Sequence, residues 1–138
     1  MKKLASIALF IFVLSFNPLN LFGQFTLTVH INGLKSDDGQ ILLELTDGNG
    51  KKISGYFQTI KNKKCVLVIS NLKPGNYSFR YFHDVNKNKK LDTNFIGMPI
   101  EGFGFSNDAK GKFGPPPLAK TIFAFSGDKS LTCTAIYL

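Results

Sequence analysis

The chain has 138 residues, 17 Lys and Arg against 9 Asp and Glu, and a formal net charge of +8. This length supports one domain with a real core, so folding does not require a dense framework of disulfides or metals. Hydrophobic residues make up 43% of the chain, which excludes disorder and multiple membrane spans, and only 2 His are available for histidine chemistry.

The N-terminus has the layout of a secretory signal peptide. A positively charged start, a short apolar run and an Asn-Pro pair follow one another. We predict cleavage after Gly23, which gives a signal peptide over 1–23 and one mature domain over 24–138. The apolar run is short for a transmembrane helix. The protein is therefore expected in the periplasm or outside the cell; the alternative is an uncleaved N-terminal anchor.

Seven short segments of the mature chain are typical of strands. Apolar and polar residues alternate in most of them, and no 3.6-residue period continues for three turns. We predict an all-β fold, an antiparallel β-sandwich of about seven strands, Ig-like or prealbumin-like. The predicted strands are 25–31, 40–46, 53–60, 64–70, 76–83, 121–125 and 131–138.

Two turns in this pattern have a specific chemistry. The Gly- and Asn-rich segment 47–50 predicts a hairpin. Pro74-Gly75 predicts a type II turn, because Pro presets the first turn angle and Gly supplies a positive φ beside it. Leu72 and Tyr77 flank this turn, and both are expected to enter the core.

The two cysteines, Cys65 and Cys133, both fall in predicted strands on the inward-facing parity. An exported protein is in a compartment that permits disulfides. Cys65 and Cys133 are therefore a candidate disulfide. Two buried free thiols are the alternative.

The strand pattern stops over 84–119, which is rich in Gly and Pro. A connection of this length in a compact domain is usually functional or disordered. Disorder fits poorly because Phe and Ile residues are frequent in it. We predict an ordered lobe packed on one end or edge of the sandwich.

The start of this lobe has the spacing of a calcium loop. Oxygen-bearing side chains occupy relative positions 1, 3, 5 and 9, as in an EF-hand-type loop, and Glu101 can return to supply a further carboxylate. Lys89 stands where the loop prefers Gly, and Phe95 stands where it needs Glu. We therefore expect weak Ca²⁺ binding, at roughly 10⁻⁴–10⁻³ M. The predicted ligands are Asp84, Asn86, Asn88, the Lys90 carbonyl, Asp92 and Glu101. The alternative is an Asn/Asp-rich turn whose side chains cap its own backbone.

The second half of the lobe alternates Gly with Phe. Such a segment suits either contact with a sugar or peptide, or a small core of the lobe itself. No nucleophile elbow or phosphate loop is present in it. The candidate binding residues are Phe103, Phe105, Ser106, Asn107 and Phe113.

Four motifs in succession carry a family resemblance. They are Leu72-x-Pro-Gly-x-Tyr77, His83-Asp84-x-Asn86-x-Asn88-x-x-Leu91-Asp92, Gly97-x-Pro99-x-Glu101-Gly-x-Gly-x-Ser-Asn107 and Phe113-Gly-Pro-Pro116. In this order they resemble the bacterial domain-of-unknown-function family 2141, over about 25–138. The resemblance implies a small exported β-sandwich with no established reaction. Members of that family typically have Gly at the position of Lys89.

These observations predict an exported, non-enzymatic β-sandwich in which a structural Ca²⁺ pins the lobe. The rival hypothesis is a metal-free module that binds an envelope glycan or another exported protein through the Gly/Phe lobe. A third hypothesis is a hydrolase-like site formed by His83, Asp84 and Glu101. Because the lysines are spread over several turns, nucleic acid is not an expected partner. The oligomeric state is left open.

Overall fold

A computed structural model describes residues 23–138 as two sheets and a few short helical turns. The predicted signal peptide, apart from Gly23, lies outside the described residues. The 3₁₀ turn is Ser106–Asp108, and the helix α1 is Leu118–Thr121. The strands are β1 (Phe25–Asn32), β2 (Gln40–Asp47), β3 (Lys52–Gln58), β4 (Cys65–Leu72), β5 (Gly75–Asp84), β6 (Phe103–Phe105), β7 (Phe123–Phe125) and β8 (Lys129–Thr134). Neither helical turn is long and apolar enough to span a membrane.

The two sheets confirm the predicted β-sandwich. The smaller sheet has the order β4-β1-β8, and the larger has the order β3-β2-β5-β6, with β7 paired to the other end of β5. Every pair is antiparallel except β1 with β8. These two strands are the first and last of the fold and are not joined by a hairpin, so nothing forces them to run in opposite directions.

The core lies between the two sheets and follows from the alternation of side chains along each strand. Inward positions of β1 and β2 are fully buried and apolar, and β5 adds a row of aromatic rings. The rings of Phe79 and Phe123 meet edge to face with their centroids 5.9 Å apart. The buried aliphatic residues include Leu27, Val29, Ile31, Ile41, Leu43, Leu45, Leu67 and Ile69.

The turn predictions have different outcomes. The hairpin at 47–50 is confirmed: Asp47 accepts the N–H groups of Asn49 and Lys51, each at 2.9 Å. The type II turn at Pro74-Gly75 is wrong, because Gly75 lacks a positive φ and already begins β5. Leu72 and Tyr77 are nonetheless buried as expected.

The two cysteines are buried and free, on opposite sides of β1. Ile31 is the register partner of Cys65 in β4 and also of Cys133 in β8. Adjacent strands lie about 4.8 Å apart, so the two Cα atoms are separated by about 10 Å. A disulfide needs Cα atoms closer than about 7 Å. This register contradicts the candidate pairing of Cys65 with Cys133.

The connection over 84–119 is ordered, but it is not a separate lobe with its own core. Its middle part is β6, which joins the edge of the larger sheet beside β5. Gly104 permits this close approach, since a Cβ there would overlap the ring of Tyr81. Sequence analysis missed β6 because its three residues stand in a Gly- and Pro-rich segment, a composition that is typical of loops. At the other end, β8 stops at Thr134 rather than at Leu138.

Candidate functional site

The oxygen-rich loop begins at Asp84, the last residue of β5. Asp84 is fully buried, and its carboxylate accepts N–H groups from Asn88 and Lys89, both at 3.0 Å. The side chain of Gln40 on β2 donates a further hydrogen bond at 3.1 Å. The carboxylate therefore fixes both the start of the loop and its position on the sheet.

The two asparagines of the loop lie beside Asp92. The amide nitrogens of Asn86 and Asn88 donate to the two oxygens of Asp92 at 2.6 and 2.8 Å. The Oδ1 atom of Asn88 accepts the N–H of Lys90 at 2.9 Å. Asp84, Asn86, Asn88 and Asp92 are therefore in contact with one another, an arrangement that both a calcium loop and a self-capped turn predict.

Glu101 returns to this loop, as sequence analysis anticipated. Its carboxylate is buried and accepts the N–H of Val85 at 3.0 Å and that of Asp92 at 3.0 Å. One side chain therefore ties both ends of the loop together.

The donor set fits a hard cation better than a soft one. Carboxylate and amide oxygens suit Ca²⁺, whereas Zn²⁺ prefers Cys or His. Within residues 23–138, no three Asp, Glu, His or Cys side chains are arranged to hold a metal by themselves. A Ca²⁺ ion here would therefore also need the amide oxygens of Asn86 and Asn88 and the carbonyl of Lys90. The N–H donors already satisfy the loop oxygens, so the self-capped turn remains the competing interpretation.

The His83 side chain has a structural role, because hydrogen bonds fix its ring. It is buried, and its Nε2 lies 2.7 Å from the carbonyl oxygen of Asp38, so Nε2 carries the hydrogen. The Tyr137 hydroxyl then donates to Nδ1 at 2.9 Å. Both ring nitrogens are therefore occupied. Two cavities in the described part of the chain, one beside α1 and one on the outer face of the larger sheet, are lined by residues other than His83, Asp84 and Glu101.

A groove crosses the outer face of the larger sheet, where a sandwich usually presents polar residues. One row of outward side chains runs through four adjacent strands: Phe57 on β3, Leu42 on β2, Phe82 on β5 and Phe103 on β6. The groove has a volume of about 610 Å³. This volume is in the range of ligand pockets, and its lining is mostly apolar.

The next row of the same face is charged and internally paired. Glu44 accepts from Arg80 at 2.8 Å and from Lys52 at 3.3 Å. Phe105 lies beside Arg80 in the sheet register, and its ring is edge-on to that of Phe103 at 6.2 Å. The groove therefore has an apolar floor and one charged border, in which one carboxylate pairs with two cationic side chains.

The predicted binding residues divide into two groups. Phe103 and Phe105 line the groove, and Phe113 is fully exposed. Ser106 cannot belong to a surface, because it is completely buried and binds the backbone of Phe79 and Thr121. The side chain of Asn107 donates to the backbone around α1 and is a structural tie.

Sequence reasoning missed Leu42, Phe57 and Phe82. Each lies in a correctly predicted strand at an outward position where a polar residue is expected. The signal was available: an apolar residue that breaks the alternation of a half-buried strand marks a covered or binding face.

The fold and these two features define a small all-β domain with an oxygen-rich loop and an apolar outer groove. The chain belongs to DUF2141, a family of uncharacterized proteins conserved in bacteria, whose model matches residues 29–133. This range begins in β1 and ends in β8, so the family unit is the sandwich itself. Comparison with curated proteins gives no match.

Among solved structures, the chain is similar to the tip fimbrial protein Mfa3 from Porphyromonas gingivalis with a C-terminal truncation. The identity is 12%, and the TM-score is 0.47. The similarity covers 82% of this chain and 48% of the fimbrial chain, so this protein spans about half the length of that relative. A likeness at this distance transfers no ligand or partner.

Proposed function

We propose that this protein is an exported, non-enzymatic binding module that holds an apolar segment of another exported protein in the outer groove. The observation that carries the proposal is the apolar row formed by Phe57, Leu42, Phe82 and Phe103. Phe57 lies near the end of β3 and is 73% exposed, which lowers solubility unless a partner covers the ring.

The lining of the groove favours a protein partner over a glycan. A glycan needs several free hydrogen-bonding groups next to an aromatic ring. Here the Glu44 carboxylate is paired with both Arg80 and Lys52. Apart from Lys89, the rest of the lining is mainly aliphatic and aromatic surface, which suits the apolar side chains of a peptide segment.

Selection from a random peptide library tests this proposal. Residues 24–138 contain every strand of the sandwich and are the form to display. We expect enrichment of peptides with alternating apolar residues, and we expect Phe57→Ser to weaken their binding by about tenfold, as one lost apolar contact predicts.

The matched control is Val68→Ser, which alters an exposed apolar residue on β4, in the smaller sheet. Its affinity for the selected peptides should equal that of the wild type. Failure to enrich any peptide would refute the proposal. So would equal binding by the wild type and Phe57→Ser, or recognition of glycans alone.

The second candidate function is a structural Ca²⁺ site in the Asp84–Asp92 loop. It is favoured by the return of Glu101, whose two oxygens hold both ends of the loop beside Asp84. The two buried carboxylates accept several N–H groups, and a cation would compensate the charge that these neutral donors leave. Within residues 23–138, no cationic side chain is ion-paired with either of them.

Thermal unfolding in EDTA and in millimolar Ca²⁺ tests this candidate. A cation that binds only the folded state at ten times its dissociation constant adds about 1.4 kcal/mol. For a domain of this size, that gain is about 5 °C in Tm. Asp84→Asn/Asp92→Asn should abolish the shift.

The matched control is Asp47→Asn, since Asp47 also caps its own turn but lies in the β2–β3 hairpin. This variant should keep the full calcium response. If Ca²⁺ does not shift the Tm of the wild type, the loop is a self-capped turn. The groove proposal is independent of that result.

A further inference from the structure

A second apolar surface lies at the tip of the segment that follows the calcium-like loop. Residues 93–100 form a tight turn closed by a bridge between Thr93 and Pro99. Phe95 is 100% exposed, Ile96 63%, Met98 44% and Ile100 64%. Four large apolar side chains are therefore presented to solvent within six consecutive residues. None of them lines the outer groove, so this surface goes beyond the proposed function.

The backbone of this tip is already hydrogen-bonded internally. The Oδ1 atom of Asn94 accepts the N–H groups of Ile96 and Met98 at 3.1 and 3.0 Å. The Asn94 carbonyl accepts from Gly97 at 3.0 Å, and the Asn94 N–H donates to Met98 at 2.8 Å. Pro99 has no N–H to satisfy. The tip can thus enter an apolar environment without leaving most of its backbone donors unpaired.

Positive charge is concentrated at the base of the tip. Lys87 and Lys90 are exposed and, within residues 23–138, neither forms an ion pair. The N–H of Ile100 donates to the carbonyl of Asp92 at 2.9 Å, so the tip is joined to the lysine-bearing loop. The nearby carboxylates of Asp84 and Glu101 are buried, and Asp92 is half-buried against the loop asparagines. The exposed charge of this region is therefore cationic.

We propose that this tip docks on an anionic lipid bilayer. Phe95 and Ile96 enter the interface between headgroups and acyl chains, while Lys87 and Lys90 face the lipid phosphates. Interfacial membrane anchors likewise combine exposed apolar side chains, which enter the bilayer, with nearby cationic side chains, which contact the headgroups. Residues 24–138 carry 15 Lys and Arg against 9 Asp and Glu, and this net charge of +6 adds a weaker attraction to an anionic bilayer.

The chain contains no Trp, so one introduced indole reports on its own position. Phe95→Trp in residues 24–138 is mixed, in EDTA, with vesicles of phosphatidylcholine alone or of phosphatidylcholine with phosphatidylglycerol. We expect a blue shift of the emission only with the anionic vesicles, and we expect salt to reverse it. Phe57→Trp, which places the indole in the groove, is the matched control and should not shift.

Co-sedimentation with the same vesicles measures the energetics. Phe95→Ser/Ile96→Ser should lower the partition coefficient by at least about tenfold, since two apolar side chains leave the interface. Lys87→Gln/Lys90→Gln should weaken binding to anionic vesicles, whereas Val68→Ser should not. All these positions are exposed, so unchanged thermal unfolding will show that each variant is folded.

Three results would overturn the proposal. One is equal sedimentation of the wild type and Phe95→Ser/Ile96→Ser. Another is a blue shift of Phe57→Trp rather than Phe95→Trp, which would assign lipid contact to the groove. The third is self-association that Phe95→Ser/Ile96→Ser abolishes without any lipid binding, which would assign the tip to a second copy of the chain.

Discussion

The outer face of the larger sheet has two halves with opposite character. At one half, Ser78 of β5 is buried beneath α1, and its hydroxyl binds that of Thr121 at 2.7 Å. At the other half, Leu42, Phe82 and Phe103 form the floor of an open groove. The polar half is therefore covered, while the apolar half is open to solvent.

This difference is the reverse of what hydrophobic burial alone would produce. Covering the apolar half would gain more free energy than covering serine and threonine hydroxyls. The covered half is instead fastened by hydrogen bonds from Ser106, Asn107 and Thr121. We infer that the covered half serves stability and that the open half serves binding, and the following variants separate the two.

The largest effect on stability is expected from Ser106→Ala in the covered half. The Ser106 hydroxyl accepts the N–H of Phe79 at 3.0 Å and donates to the carbonyl of Thr121 at 2.5 Å. Removing it leaves buried polar groups unpaired, so the free energy of unfolding should fall by about 1–3 kcal/mol. Urea unfolding measures this change. Ser126→Ala, at an exposed serine, is the control and should stay within about 0.5 kcal/mol.

Phe57→Ser in the open half should have the opposite effect: it should weaken peptide binding and leave stability nearly unchanged. Because Phe57 is largely exposed, its loss should change the free energy of unfolding by less than about 0.5 kcal/mol. The affinity for a selected peptide should nevertheless fall about tenfold. Isothermal titration and urea unfolding of one preparation measure both quantities. A large loss of stability with unchanged affinity would contradict this division of roles.

A smaller, stabilising effect is expected from Tyr81→Phe beneath the open half. In the described part of the chain, the Tyr81 hydroxyl is buried without a hydrogen-bond partner. Its burial also raises the pKa of the Tyr81 hydroxyl. The substitution removes an unsatisfied polar atom, so the free energy of unfolding should rise by about 1 kcal/mol. A destabilised variant would show that the hydroxyl has a partner.

An effect confined to alkaline pH concerns the two core thiols. Burial raises the pKa of Cys65 and of Cys133 from 9.0 to about 11. The folded state therefore disfavours the thiolates, and this contribution to stability is complete below pH 9 and lost as the pH rises towards 11. In Cys65→Ala/Cys133→Ala, the free energy of unfolding should therefore depend less on pH between 9 and 11. After unfolding, the wild type should show two thiols that react with a thiol reagent. If Cys65 and Cys133 formed a disulfide, no thiol would react.

The sequence predicted the parts of the fold that rest on alternation. Phe25 to Ile31 alternates so clearly that β1 and its buried face follow directly from it. Asp84, Asn86, Asn88 and Asp92 contact one another within nine residues, so the sequence could indicate this cluster, whether it is a calcium loop or a self-capped turn.

Features set by long-range pairing were not accessible in the same way. The place of β6 depends on Gly104 fitting against Tyr81, and the distance between the cysteines depends on β1 lying between them. Periodicity shows which face of a strand a residue occupies, but it does not show which strand is the neighbour. For the same reason, the apolar row across four strands was invisible until the sheet order was known.

The central claim is that binding belongs to the open half of the outer face. The most direct measurement is the affinity of wild type, Phe57→Ser and Ser106→Ala for one selected peptide, at a temperature where all three are folded. We predict that Phe57→Ser binds about tenfold more weakly and that Ser106→Ala binds like the wild type. Equal affinity of the wild type and Phe57→Ser, or a loss confined to Ser106→Ala, would contradict the account.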